Sequence, residues 1–185
     1  NLEMVKYLIE HGADPSLRTS MGGTALNRAA EAGNIEMMNY LLERGTDIGD
    51  LALIVAAREG HMDAVKLLVE KGANVDAQQR WGQTALMHAA REGHSQIVKY
   101  LLENGANVRL REKSGETALS IALDNDHMDI VSQLRRAGAT MSGKKKATTP
   151  VADEGDDEDT DTPPADFDDL IDDEEIPDDV DLDED

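Results

Sequence analysis

Five histidines are the side chains in this 185-residue chain best suited to act as a base or a metal ligand: His11, His61, His88, His94 and His127. Three of them, His61, His94 and His127, recur at 33-residue intervals, each just after an apparent helix end. Ligands must lie near 2 Å from one ion, whereas units stacked side by side hold equivalent residues about 10 Å apart. The trio therefore reads as structural. His11 stands at a helix end, and His88 has no carboxylate nearby in sequence to orient it. Cysteine is absent, which removes disulfides, thiolate metal sites and a Cys nucleophile together. Neither phosphate-binding pattern, GxxxxGKS/T or GxGxxG, occurs, and neither does the GxSxG nucleophile elbow. Carboxylates crowd only near the C-terminus, where nothing holds a pair at the fixed separation that acid–base chemistry needs. The sequence thus offers no catalytic residue, no metal site and no cofactor, and the chain is expected not to be an enzyme.

What must be positioned, then, is a surface, and the elements that position it repeat. A glycine after an apolar helix-like run recurs at Gly12, Gly45, Gly72, Gly105 and Gly138, with spacings of 33, 27, 33 and 33 residues. The text before each glycine is similar: VKYLIEHGAD, MNYLLERGTD, VKLLVEKGAN, VKYLLENGAN and VSQLRRAGAT. Upstream lies a second recurring run: TALNRAAEAGN, LALIVAAREGH, TALMHAAREGH and TALSIALDNDH. Each unit reads as two short helices. In the first, Ala25, Leu26, Ala29 and Ala30 make a narrow stripe of small apolar residues that lets neighbouring helices approach closely. Thr24, Thr84 and Thr117 stand where a hydroxyl caps free N–H groups, and Gly33, Gly60 and Gly93 stand where a left-handed residue ends a helix. In the second, Val65, Leu67, Leu68 and Val69 supply a broader apolar face. One such pair cannot bury its face alone, so stacking must supply the core.

The chain resembles the ankyrin-repeat family, whose units of roughly 33 residues contain T-P-L-H-x-A-A and a later G-A-D/N. The resemblance covers about residues 1–139 and implies an all-α solenoid of helix-turn-helix units with short β-hairpin fingers. The units run as a half unit 1–12, then 13–45, a short unit 46–72, 73–105 and 106–138, with residues 1–141 forming the repeat domain. The family's Pro is replaced by Ala25, Ala52, Ala85 and Ala118, and its His by Asn27, Ile54, Met87 and Ser120. Loss of that His removes hydrogen bonds between repeats and predicts a modestly less stable stack. The short unit is six residues short between Gly45 and Leu51, where its sisters carry a finger. Such a gap is either a tolerated deletion or a notch in the binding surface. NLEMVKYLIEHG matches a second helix without its first, which leaves Leu2, Val5 and Leu8 open and suggests truncation of a longer array. At the other end, Leu123 and Asp126 replace an Ala and a Gly, and Ser132, Gln133, Arg135 and Arg136 make the last helix polar, as a terminal capping repeat requires.

The resemblance also implies function. Family members bind another protein along the fingertips and the exposed side of the first helices, with no nucleic acid or membrane partner expected here. The positions carried over include Met21 in the first finger, Arg80, Trp81 and Gln83 in the second, and Lys113 and Glu116 in the third. Arg58, His88 and Arg91 are the first-helix candidates. Trp81, the chain's single Trp, either anchors a partner or packs on a neighbouring finger. A monomer acting as an intracellular scaffold, cytoplasmic or nuclear, is the expected state.

The formal net charge of −21 is uneven: residues 1–143 hold 15 Lys/Arg against 19 Asp/Glu, and residues 144–185 hold 3 against 20. Residues 142–185 are therefore expected to be a disordered acidic tail, because few apolar groups stand against high charge. Lys144 to Lys146 form a basic cluster, read as a solvated linker or a weak nuclear-import signal. Phe167, Leu170 and Ile171 fall at i, i+3 and i+4, the spacing of one face of an amphipathic turn. The tail could engage basic proteins such as histones in a transcription-linked role, fold back as a pseudo-ligand, or serve solubility alone. Nucleic acid is excluded as its ligand by like charge.

Overall fold

The structure is a computed structural model that describes residues 1–20 and 22–140. The acidic segment, with Phe167, Leu170 and Ile171, lies outside the described residues. Among the described residues there are nine helices and no strand: α1 (Leu2–Glu10), α2 (Ala25–Glu31), α3 (Ile35–Glu43), α4 (Leu51–Glu59), α5 (Met62–Glu70), α6 (Ala85–Glu92), α7 (Ser95–Glu103), α8 (Ala118–Asp124) and α9 (Met128–Arg136). Helices α2, α4, α6 and α8 pack in one row, and α3, α5, α7 and α9 in a second, each pair joined through its turn. The core runs between the rows as one continuous cluster rather than as separate cores.

The first row is close because its facing side chains are small. Ala56, Ala57, Ala89, Ala90 and Ala122 are fully buried, and an alanine costs no side-chain entropy to order there. The second row is sealed by one leucine per unit: Leu41, Leu68, Leu101 and Leu134 are all 0 % exposed. Leu8 holds the same slot in α1 but is 49 % exposed, beside Met4 and Tyr7, with no first helix among the described residues packed against it. Leu2 and Val5 are only half-open, so the apolar edge expected from the sequence is present but narrower than expected.

Caps start the helices where the threonines lie. Thr24 accepts from Asn27 N at 3.2 Å, and Thr84 from Met87 N at 3.3 Å. Thr117 accepts from Ser120 N at 3.3 Å while Ser120 Oγ accepts from Thr117 N at 2.9 Å, a reciprocal box. Asp50, before α4, makes no side-chain cap, because its backbone is helical rather than extended.

The turn histidines answer the question left by the missing TPLH histidine. His61 Nε2 lies 3.0 Å from the carbonyl oxygen of Glu31, His94 Nε2 2.9 Å from that of Arg58, and His127 Nε2 3.0 Å from that of Arg91. Each ring thus bonds an otherwise unpaired C-terminal carbonyl of the preceding unit's first helix. Each ring also rests on the glycine that ends that helix. A Cβ added at Gly60, whose φ is +80°, would stand 2.7 Å from the His94 ring. Gly33 and Gly93 meet His61 and His127 in the same way. Asp126 occupies this turn position in the last unit with φ +58°. A Cβ therefore stands there where the three sister glycines have none. Ser132, Arg135 and Arg136 face solvent as a cap requires, but Gln133 turns inward, its Nε2 donating to Ser95 Oγ at 3.0 Å.

Gly60→Ala should therefore cost about 2–3 kcal/mol, combining left-handed strain with loss of the His94 contact. Gly72→Ala, with φ +93° and nothing within 4 Å of the added Cβ, should cost only the strain of about 1–2 kcal/mol. Urea denaturation of the two variants checks this, and equal losses would remove the ring-on-glycine contact from the stability of the stack.

Candidate partner-binding surface

Between the helix pairs the chain projects three tight turns. Thr19 N donates to Gly23 O and Gly22 N to Thr19 O, both at 2.8 Å, closing the first finger. Gln79 N to Gln83 O at 3.0 Å and Gly82 N to Gln79 O at 2.7 Å close the second. Glu112 N to Glu116 O at 3.0 Å and Gly115 N to Glu112 O at 2.9 Å close the third. These two backbone–backbone hydrogen bonds in each finger make a turn without a strand ladder. The hairpins expected from the resemblance are reduced to their tips.

The second and third fingers are locked together. Lys113 N donates to Trp81 O at 3.0 Å. Asn107 N donates to Asp76 Oδ1 at 2.8 Å. In the third finger Glu112 accepts from the Ser114 hydroxyl and from Ser114 N, at 2.7 Å for the latter. The Ser114 hydroxyl bond, foremost, holds its carboxyl below the ordinary range.

Trp81 meets the next finger through its backbone carbonyl and through the Lys113 ammonium beside its indole. The side chain is 59 % exposed. Arg80 Cζ lies 5.8 Å and Lys113 Nζ 5.5 Å from the ring centroid, within cation–π range. Arg80 and Lys113 are themselves exposed, whereas Gln83 and Glu116 are half-buried. Gln83 Oε1 accepts from Gln79 Nε2 at 2.6 Å, so it shapes the finger. Arg58 and Arg91 are half-buried at the helix ends. Arg58 pairs with Glu31 at 3.1 Å and Glu59 at 2.7 Å, and Arg28 reaches Glu31 at 2.8 Å. Pairs this exposed contribute about 0–1 kcal/mol each, so they order the rim more than they stabilise it. Met21 lies outside the described residues.

His88 requires a correction. Expected at the binding surface, it is buried on α6 at 7 % exposure beneath the second finger, where Gln79 Nε2 lies 3.0 Å from its Nε2. Burial, with smaller contributions from Arg91 and Arg58, lowers its pKa from 6.5 to about 4. The ring is therefore neutral at pH 7 and accepts from the Gln79 amide. No sequence signal separated it from the exposed residues of its helix.

The short unit opens the surface. From Thr46 the chain runs to α4 with no finger, and a cavity of about 190 Å³ lies in the gap between the first and second fingers. Arg18, Thr24, Asn27, Asp50, Gln79 and Arg80 are among its lining residues. The 27-residue spacing gave the notch its place in the sequence, but Arg18, Asn27 and Asp50 carried no signal as its walls. No group of three or more His, Cys, Asp or Glu among the described residues is placed to hold a metal ion. No helix among them is long and apolar enough to cross a membrane.

Residues 1–52 and 53–145 match the family profile of ankyrin repeats in three copies. The chain belongs to the ankyrin-repeat family. It is 38 % identical over 90 residues to human ankyrin repeat and KH domain-containing protein 1, a match spanning 44 % of this chain and 4 % of that protein. It is 33 % identical over 88 residues to the human transient receptor potential cation channel subfamily A member 1, spanning 44 % of this chain and 8 % of the channel. A putative ankyrin repeat protein of fowlpox virus is 36 % identical over 82 residues, spanning 43 % of this chain and 15 % of that protein. The chain thus matches only a small part of each relative. Ankyrin repeats are in general protein–protein interaction modules, and proteins built from them are typically non-enzymatic scaffolds.

The buried neutral His88 makes a pH signature. Its folded pKa lies below its unfolded value, so its stabilisation is complete above about pH 6.5 and is lost as pH falls towards 4. Comparing urea midpoints of the chain and its His88→Gln variant at pH 7.5 and pH 4.5 should show the advantage of the parent shrinking by up to about 2–3 kcal/mol. An unchanged difference would mean that His88 titrates as an open side chain.

Proposed function

We propose that this ankyrin-repeat chain is a protein-recognition adaptor that receives a segment of another protein across its second and third fingers, with Trp81 as the apolar anchor. The observation that carries the reading is the exposed indole with Arg80 and Lys113 over its ring. An exposed Trp gains about 1.5–3 kcal/mol when an apolar partner covers it, and Trp and Arg are enriched among binding hot spots. The locked finger pair below supports the reading, because a rigid anchor loses little entropy on binding. The relatives place similar repeats within proteins of very different kinds, so the partner follows from this surface and not from the fold.

A second reading rests on the 20 Asp/Glu of residues 144–185: that segment would hold basic proteins, histones among them, and the repeats would serve as a dock. One experiment separates the two. The chain and its Trp81→Ala variant are used to capture proteins from a cell lysate at about 0.15 M and 0.5 M salt. The first reading expects Trp81→Ala to lose its captured proteins by about tenfold or more at both salt concentrations. Its melting temperature should stay within about 4 °C of the parent. Capture of basic proteins that ignores Trp81→Ala and vanishes at high salt supports the second reading and rejects the first.

A further inference from the structure

The notch left by the short unit offers a recess between the first and second fingers. Its volume of about 190 Å³ falls below the roughly 300–1,000 Å³ usual for cofactor and small-molecule pockets. A recess of that size takes one side chain of a longer ligand and not a cofactor.

Its chemistry selects which side chain. Two arginines, Arg18 and Arg80, line it from the first and second fingers, and Asp50 is the one carboxylate residue named in its lining. The other polar lining residues include Asn27, Gln79 and Thr24. Arg18 pairs with Asp47 at 3.5 Å, with both side chains more than half exposed. Such an exposed pair contributes little and yields readily to a carboxylate held by two arginines, since Arg matches a carboxylate with two parallel N–H groups. Arg80 also adjoins Trp81, so the recess and the apolar anchor share a wall.

We infer that the notch receives the carboxylate of one Asp or Glu side chain from an extended partner segment whose neighbouring apolar side chain covers Trp81. The inference rests on the finger surface being the binding surface. It adds the class of partner, an acidic–apolar segment, and it assigns Arg18 and Arg80 as the groups that choose it. The six-residue shortening then sets specificity: a full-length finger there would fill the recess and leave only the anchor.

The test uses the whole chain and a random dodecapeptide library displayed on phage, followed by fluorescence anisotropy with the selected peptides. The expected peptides carry an Asp or Glu at a fixed distance from an apolar residue. Changing that acid to its amide, or Arg18→Ala in the protein, should each weaken binding at least tenfold. Arg18 stands on the first finger, whereas the cations beside the Trp81 ring are Arg80 and Lys113. Inserting six residues after Asp47 to rebuild a finger should also abolish the preference for the acid. If Trp81→Ala weakens the selected peptides but the acid, Arg18 and the insertion do not matter, the notch inference falls and the finger surface stands. If neither Trp81→Ala nor the notch changes alter affinity, both readings fall together.

Discussion

The seating of each turn histidine on the glycine of the unit before it is the contact on which the rest of this structure depends. A helix pair of about 20 residues buries too little apolar surface to offset its own chain entropy. It becomes stable only when the next pair lies at close range and in a fixed register. Alanines in the first helices permit the range. The ring of His61, His94 or His127, bonded to a carbonyl of the preceding unit, sets the register. A glycine without a Cβ is needed below each ring, which is why the turn glycines and the histidines recur together.

Register in the helices becomes register in the fingers. Because α6 and α8 are fixed to one another, the second and third fingers meet closely enough for Lys113 to bond Trp81 through backbone atoms. That bond holds the base of the indole while its ring stays in water. Where the short unit interrupts the row, the helices still stack through the His61 and His94 contacts, so the missing finger leaves a recess and not a break in the solenoid. Local deletion is tolerated here because the contacts that order neighbouring units lie in the turns and helices.

His88 and Asp126 show how context overrides residue type. His88 sits on the same helix as the half-buried candidate Arg91, yet the second finger folds over it and makes it a neutral acceptor for Gln79. Asp126 adopts the left-handed backbone of its sister glycines and carries a Cβ where they have none.

The sequence alone was enough for the repeat length, the two helices per unit, the capping threonines, the short unit and the polar final helix. Each of these depends on residues within a few positions of one another, or on a spacing that repeats. It also carried the finger positions, with Trp81 singled out by its type. What it did not contain was which side chains end in water. The burial of His88, the inward turn of Gln133 and the exposure of Trp81 were decided by elements about 10 to 40 residues away. The same holds for the arginines that line the notch, since Arg18 and Arg80 stand on separate fingers brought together by the stack. Contacts of that kind arise only after neighbouring units have closed on each other, so the tertiary structure decided them.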